Sequence, residues 1–259
     1  MKKAMLIDVS KCMGCRGCQV ACKQWNQLPA EDTTFEGTYE NPPRFSAQTW
    51  MRVIFNEHED EDNRLQWRMA KEGCMHCGDA ACMQACPTGA IDYTEMGTVK
   101  IDEKKCIGCN YCIRACPFDV MGFDRDQGVA QKCTFCYDRL VNGYKPACVT
   151  VCSTNAIKYG DRDELLDQAY QRMEQLQNNG NPKANVYGDA EVGGAGVVYV
   201  LEDSPDKYHL PEDPEVPWQA RFWNSIFRPL RVLVVIALAF GLWSNYSRSK
   251  EIQEKKGKG

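Results

Sequence analysis

The chain has 259 residues, 44% of them hydrophobic, with a formal net charge of -4. That is enough apolar side chain for one or two ordinary cores, which excludes global disorder, and the absence of a long basic run argues against a nucleic-acid partner. Sixteen cysteines are the anomaly, and they must be read as a disulfide framework, as zinc sites or as cluster ligands.

The chain opens Met1-Lys2-Lys3-Ala4-Met5-Leu6-Ile7-Asp8, where an acid follows a very short apolar run. No signal peptide is expected there, which leaves any export to a partner. The first cysteine group is Cys12-x2-Cys15-x2-Cys18-x3-Cys22. Between it and the second lies Glu57-His58-Glu59-Asp60-Glu61-Asp62, read as a solvated hairpin tip or loop. Then come Cys74-x2-Cys77-x4-Cys82-x3-Cys86, Cys106-x2-Cys109-x2-Cys112-x3-Cys116 and Cys133-x2-Cys136-x11-Cys148-x3-Cys152. Each group opens with C-x2-C and closes with C-x3-C, an internal repeat.

The repeat goes beyond cysteine. Leu6-Ile7-Asp8 precedes Cys12 as Lys100-Ile101-Asp102 precedes Cys106, Gly14 matches Gly108, and Ala21, Ala85 and Ala115 each precede a fourth cysteine. Gly89-Ala90-Ile91-Asp92-Tyr93 and Asn155-Ala156-Ile157-Lys158-Tyr159 read as brief strands. The repeating unit is strand, ligand loop, short helix.

Thiols bunched in four groups do not look like the staples of a small, core-poor secreted domain. Zinc ribbons also use C-x2-C pairs but have no regular need for a third cysteine after x2 and a fourth after x3. Iron is therefore favoured, with the fourth group the likeliest zinc exception. In two-cluster ferredoxins the cysteine after x3 ligates the other cluster and is commonly followed by proline; Cys86-Pro87 and Cys116-Pro117 fit, whereas Cys22-Lys23 and Cys152-Ser153 do not. His76 adds to a full thiol set, so packing or hydrogen bonding suits it better than ligation. Lys11, Lys105 and Lys132, each just before a group, either raise cluster potentials or are simply solvated. No nucleophile-base pair, phosphate loop or paired-acid motif accompanies the clusters, so no catalysis is expected of this chain alone, and no directly bound small-molecule substrate.

Past the last group, Asp161 and Glu164 resemble a capping box, and Leu165, Leu166, Ala169, Tyr170, Met173 and Leu176 fall at helical spacing before Gly180. Residues 178–217 read mostly as loop, apart from a strand at Val197-Val198-Tyr199-Val200-Leu201. Residues 232–243 are uninterruptedly apolar. Twelve residues are short for a bilayer core, but Leu230 extends the run, Arg231 can snorkel, and Trp223, Phe227, Trp243 and Tyr246 sit where interfacial aromatics belong, so a membrane span is expected. Arg248, Lys250, Lys255, Lys256 and Lys258 outnumber Arg221, Arg228 and Arg231, which puts the tail in the cytoplasm and the cluster domain outside.

From Met5 to about Tyr159 the four groups resemble the iron-sulfur subunits of the molybdopterin oxidoreductase superfamily. The stretch from Leu6 to Cys12, with Cys18-Gln19-Val20-Ala21-Cys22-Lys23-Gln24-Trp25-Asn26, is especially similar to the beta subunits of membrane-bound formate dehydrogenases. So are Glu191-Val192-Gly193-Gly194, Val198-Tyr199-Val200-Leu201 and Tyr208-His209-Leu210-Pro211 further on. The resemblance implies an α+β fold of two ferredoxin-like modules in pseudo-two-fold arrangement, each holding two 4Fe-4S clusters, with a C-terminal transmembrane helix. It implies a four-cluster domain over 1–160, with one module from 1–25 plus 130–160, the other from 70–129, and an insertion over 26–69. A helix and extended connection (161–217), the membrane segment (218–247) and a basic tail (248–259) follow.

It also implies the ligand sets: Cys12, Cys15, Cys18 and Cys152; Cys133, Cys136, Cys148 and Cys22; Cys74, Cys77, Cys82 and Cys116; Cys106, Cys109, Cys112 and Cys86. Formate would be oxidised at a molybdenum or tungsten pterin in a separate catalytic subunit, and this chain would pass the electrons to a haem b membrane subunit and quinone. Nitrate reductase beta subunits usually replace one thiol with tryptophan, which argues against them here. Dimethyl sulfoxide, thiosulfate and polysulfide reductase subunits are the second reading, and a zinc-stapled interaction module is the reading of a different class.

Overall fold

The computed structural model describes residues 2–59, 63–222 and 228–256. In chain order the elements are β1 (Lys3–Asp8), α1 (Gly17–Trp25), β2 (Met51–Glu59), β3 (Leu65–Gly73), α2 (Ala81–Gln84), β4 (Ile91–Tyr93), β5 (Val99–Ile101), α3 (Tyr111–Ala115), β6 (Gly122–Asp124), β7 (Val129–Gln131), α4 (Tyr137–Val141), α5 (Ala147–Thr150), β8 (Ile157–Asp161), α6 (Arg162–Asn178), β9 (Asn185–Tyr187), β10 (Val197–Leu201), α7 (Trp218–Phe222) and α8 (Arg228–Lys256). The architecture is α+β, and the short helices and strands alternate with the cysteine loops.

One four-stranded sheet, ordered β8-β1-β10-β9, organises the chain. β1 pairs antiparallel with β8 and parallel with β10, Met5 lying opposite Val197 and Asp8 opposite Val200. Covered on both faces, β10 and the Ala4–Ile7 stretch of β1 are continuously apolar rather than alternating, as buried strands are. Alternation still sorts the faces. Ala4, Leu6, Val198 and Val200 pack with Leu165, Ala169 and Leu176 of α6. Met5, Ile7, Val197, Tyr199 and Leu201 turn the other way, into the core that holds Cys18, Cys22, Cys74 and Cys148. Three hairpins, β2-β3, β4-β5 and β6-β7, complete the strands.

Residues 161–217, expected as a helix and an extended connection, therefore supply two strands of the central sheet. β9 has three residues, too few for a periodic signal, and it forms because β10 offers it an open edge. The expected helix is α6, but its capping box does not form: Asp161 makes no cap hydrogen bond and instead pairs with Lys3 at 2.8 Å. The expected hairpin around the acidic run is β2-β3, though His58 is not simply solvated, its Nε2 lying 3.7 Å from Asp203. Asp60, Glu61 and Asp62 lie outside the described residues.

The expected spanning segment is not found: among the described residues no helix is long and apolar enough to cross a membrane. Within the long α8 the apolar run covers about 18 Å at roughly 1.5 Å per residue, against about 30 Å of hydrocarbon. Before it, α7 is a separate element docked on the cluster domain, where Ala220 packs with Ala81, Ala85, Ala115 and Val216. Trp223 and Phe227, expected as interfacial aromatics, lie outside the described residues.

Candidate metal centre

Backbone geometry shapes each ligand loop. Gly14 (φ 64°) and Gly108 (φ 68°) occupy matching places; a Cβ on Gly14 would come within 2.8 Å of Phe55, and one on Gly108 within 2.6 Å of the Gly128 carbonyl oxygen. Positive φ and close approach together require glycine. Next, Arg16 (φ 59°) and Asn110 (φ 61°) turn the chain left-handedly into α1 and α3, which carry Cys18 with Cys22 and Cys112 towards Cys116. His76 (φ 49°) makes the turn between Cys74 and Cys77, and Phe135 and Cys136 (φ 60° and 50°) make it before α4. Cys82 rides on α2 and Cys148 on α5.

All sixteen cysteines are free thiols. Their charges couple in sets. Burial raises the Cys12 pKa against a hydrogen bond from the Gly14 backbone, and Cys152 and Cys15 raise it further. Cys18 is pushed up to about 11 by burial, with Cys12 and Cys15 adding. Cys22 goes well above the ordinary thiol value, through burial first and then Cys133, Cys148 and Cys136. Burial likewise raises Cys77, followed by Cys74, Cys82 and Cys116, and lifts Cys112 to about 12, followed by Cys86, Cys106 and Cys109. Each cysteine of the four groups thus lies within electrostatic reach of other cysteines.

Cysteines of different expected ligand sets also come within electrostatic reach of one another. Cys148 feels Cys18, Cys133 feels Cys74, and Cys82 feels Cys112. Cys22, Cys133, Cys136 and Cys148 line one cavity together with Cys74, Lys71 and Phe135. Among the described residues no three metal-ligating side chains close on a single ion. A cubane puts each thiolate on a different iron, so its ligands do not need single-ion spacing. Buried thiols around a shared cavity, whose ionisation burial and one another's charge oppose, fit an iron cluster, which would take the thiolates and release their protons.

Hydrogen bonds extend the repeat outward. The Cys86 sulfur takes the Ala90 N–H at 3.3 Å and lies 3.6 Å from the Thr88 hydroxyl. Burial works against ionisation of Cys86, yet these bonds outweigh it and the pKa is lowered. Thr154 stands in the same relation to Cys152, at 3.8 Å.

The three lysines singled out in the sequence separate. Lys11 pairs with Asp8 and Lys105 with Asp102, both at 3.3 Å, so the repeated aspartate, three residues earlier, absorbs each. Lys132 is only 2% exposed; its Nζ donates to the Val99 carbonyl at 2.5 Å and to the Cys133 carbonyl at 3.0 Å. Burial opposes its charge, but Cys74, Cys82 and Cys133 outweigh that and raise its pKa. The Val99 N–H donates to His76 Nδ1 at 3.1 Å, so one strand residue holds both side chains. His76 packs edge-on to Phe135 at 4.7 Å, a packing and hydrogen-bonding role, and its buried Nε2 has no hydrogen-bond partner among the described residues.

Lys71 escaped the sequence reading. It sits three residues before Cys74 rather than next to a cysteine, and only the tertiary fold buries it to 5% exposure.

Residues 65–162 match a family model described as a 4Fe-4S dicluster domain, and residues 11–90 match a second of the same description. The nitrate-inducible formate dehydrogenase iron-sulfur subunit of Escherichia coli K12 is 42% identical over 247 residues, 94% of this chain and 84% of that one. The formate dehydrogenase-O iron-sulfur subunit of the same organism is 43% identical over 231 residues, 88% and 77% of the two chains. The thiosulfate reductase electron transfer subunit of Salmonella typhi is also 43% identical, but over 162 residues, 62% of this chain and 76% of that one.

Proposed function

Because this chain belongs to the family of formate dehydrogenase iron-sulfur subunits, we propose that it conducts electrons from a molybdenum- or tungsten-pterin catalytic subunit, where formate is oxidised, to a haem b membrane subunit and quinone. It is a non-catalytic electron-transfer subunit, and it carries four 4Fe-4S clusters, two for each dicluster match. The observation that carries the reading is the electrostatic coupling of its thiols in series, from Cys18 through Cys148, Cys133 and Cys74 to Cys82 and Cys112. A conductor needs redox centres in file, and these side chains are in file.

Four ligand sets follow in this proposal. Cys12, Cys15, Cys18 and Cys152 hold the first cluster; Cys22, Cys133, Cys136 and Cys148 the next along the file; Cys74, Cys77, Cys82 and Cys116 the third; Cys86, Cys106, Cys109 and Cys112 the last. When bound, the clusters supply one-electron redox chemistry at potentials set by charge, hydrogen bonding and solvent access. The chain supplies the thiolates, the apolar walls that exclude water, and the amide and hydroxyl groups beside Cys86 and Cys152.

The membrane belongs to the same proposal. Leu233, Ile236, Phe240 and Trp243 of α8 are each more than half exposed, an apolar surface suited to lipid or a membrane subunit. In this proposal the cluster domain lies on the outer face, exported with its partner. Release of the chain from membranes by salt alone would contradict this.

A thiosulfate, polysulfide or sulfoxide reductase subunit is the second reading. The shorter match of the thiosulfate reductase relative, 62% of this chain against 94%, disfavours it. Isolation of the native complex tests both: about sixteen irons and sixteen labile sulfides per chain are expected, with bleaching of the clusters by formate. A complex that reduces thiosulfate and leaves formate untouched refutes the formate assignment, and zinc in place of iron refutes the conductor.

A further inference from the structure

Lys71 is a buried cation that forms no ion pair among the described residues. It is 5% exposed. The neighbouring carboxylate, Glu72, is taken by Arg52 at 2.7 Å. A buried ammonium is costly unless opposite charge faces it. What faces Lys71 is sulfur. It lines the cavity that Cys22, Cys133, Cys136 and Cys148 share with Cys74. Its charge also reaches Cys18, in the adjoining quartet. Its backbone is fixed from the central sheet, where the Tyr199 hydroxyl, on β10, donates to the Lys71 carbonyl at 3.0 Å.

We propose that Lys71 is a fixed counter-charge at the joint between two clusters, and that it raises the reduction potential of the cluster held by Cys22, Cys133, Cys136 and Cys148. This inference rests on the ligand sets proposed above. The physical reason is Coulombic. A four-thiolate cluster gains negative charge when it accepts an electron, and a cation against its cavity stabilises that reduced form more than the oxidised one. In a dry, apolar setting the effect is not screened by salt.

The test is a redox titration of the intact complex, followed by electron paramagnetic resonance, with Lys71→Met, Lys71→Gln and Lys71→Arg. The expected result is that methionine and glutamine shift the reduction equilibrium of one cluster at least tenfold towards the oxidised form, about 59 mV for a one-electron couple. A smaller shift in its neighbour should accompany this, while arginine stays near the parent value. Glutamine is included because it keeps a polar end in the cavity if methionine disturbs packing. Unmoved midpoints in either neutral variant at full iron content overturn the proposal, as does an arginine variant that shifts as far as the neutral ones. Failure of the ligand reading itself shows separately, as an iron count in the unmodified complex far from about sixteen per chain.

Discussion

Arg52 joins two buried carboxylates, and its removal should be among the most damaging single changes outside the cysteines. Its Nη1 lies 2.7 Å from Glu40 and its Nε 2.7 Å from Glu72, with all three side chains at or below 11% exposure. Arg52→Met leaves both carboxylates in the core without their shared cation. Breaking a buried pair from one side costs about 3–5 kcal/mol, a large share of the 5–15 kcal/mol that typically holds a domain together. The damage reaches the metal site, because Glu72 is opposite Arg52 in the β2-β3 register and Cys74 follows at the hairpin's end. pH gives a second handle. Burial pushes the Glu72 carboxyl up to about 7 against the pull of Arg52. An acid whose folded pKa exceeds its unfolded value binds more protons when folded, so its contribution to stability declines as pH rises between the two. Without Arg52 that decline deepens, and the variant should lose more at pH 8 than at pH 6. Denaturant titration of the iron-loaded complex, read by cluster absorbance and circular dichroism, measures both effects. A loss below about 1 kcal/mol at pH 8, or one independent of pH, would refute the reasoning.

Other changes probe the remaining parts. Cys148→Ser should lower bound iron from about sixteen to about twelve per chain and abolish formate-driven reduction of the acceptor, measured by iron assay and turnover; undiminished iron would refute its ligand role. Lys132→Met should shift the midpoint of a different cluster from Lys71→Met, one held through Cys74 and Cys82, whose charges its ammonium faces. Gly78→Ala should cost about 1–3 kcal/mol and loosen the Cys77 loop, because the new methyl would collide with the backbone carbonyls of Gly193 and Gly194; denaturation of the purified variant reads it. Burial opposes the charge of Glu31, but Ser46, Thr49 and Lys23 hold its carboxyl below the usual range, so it adds stability that is lost as pH falls through that lowered value. Glu31→Gln should therefore cost about 1 kcal/mol at neutral pH and almost nothing in acid, as thermal melts across pH would show.

The cysteine spacing, the repeated Gly14 and Gly108, and the apolar runs of β1 and β10 were legible from residue order because each is a local requirement. A ligand loop needs its thiols at set intervals, a left-handed turn needs glycine, and a strand covered on both faces needs apolar residues throughout. Other features required the chain to come together. β9 is too short to signal itself and exists because β10 offers an edge. Asp161, placed for a helix cap, found Lys3 from the other end of the fold. The apolar run in α8 looked long enough to span a bilayer only with its flanks counted in, and among the described residues no helix meets that requirement.

Charge is where the two levels part most clearly. Residue order placed Lys11, Lys105 and Lys132 alike beside a cysteine group, and gave no reason to notice Lys71. In the folded chain Asp8 and Asp102 neutralise the first two, whereas packing buries Lys132 and Lys71 against thiols from other groups. The electrostatic worth of a cation depends on its distance to opposite charge and on the water between them, and both are set by contacts distant in sequence. Residue order thus determined that this chain would bind iron-sulfur clusters, and tertiary packing alone decided which charges face them.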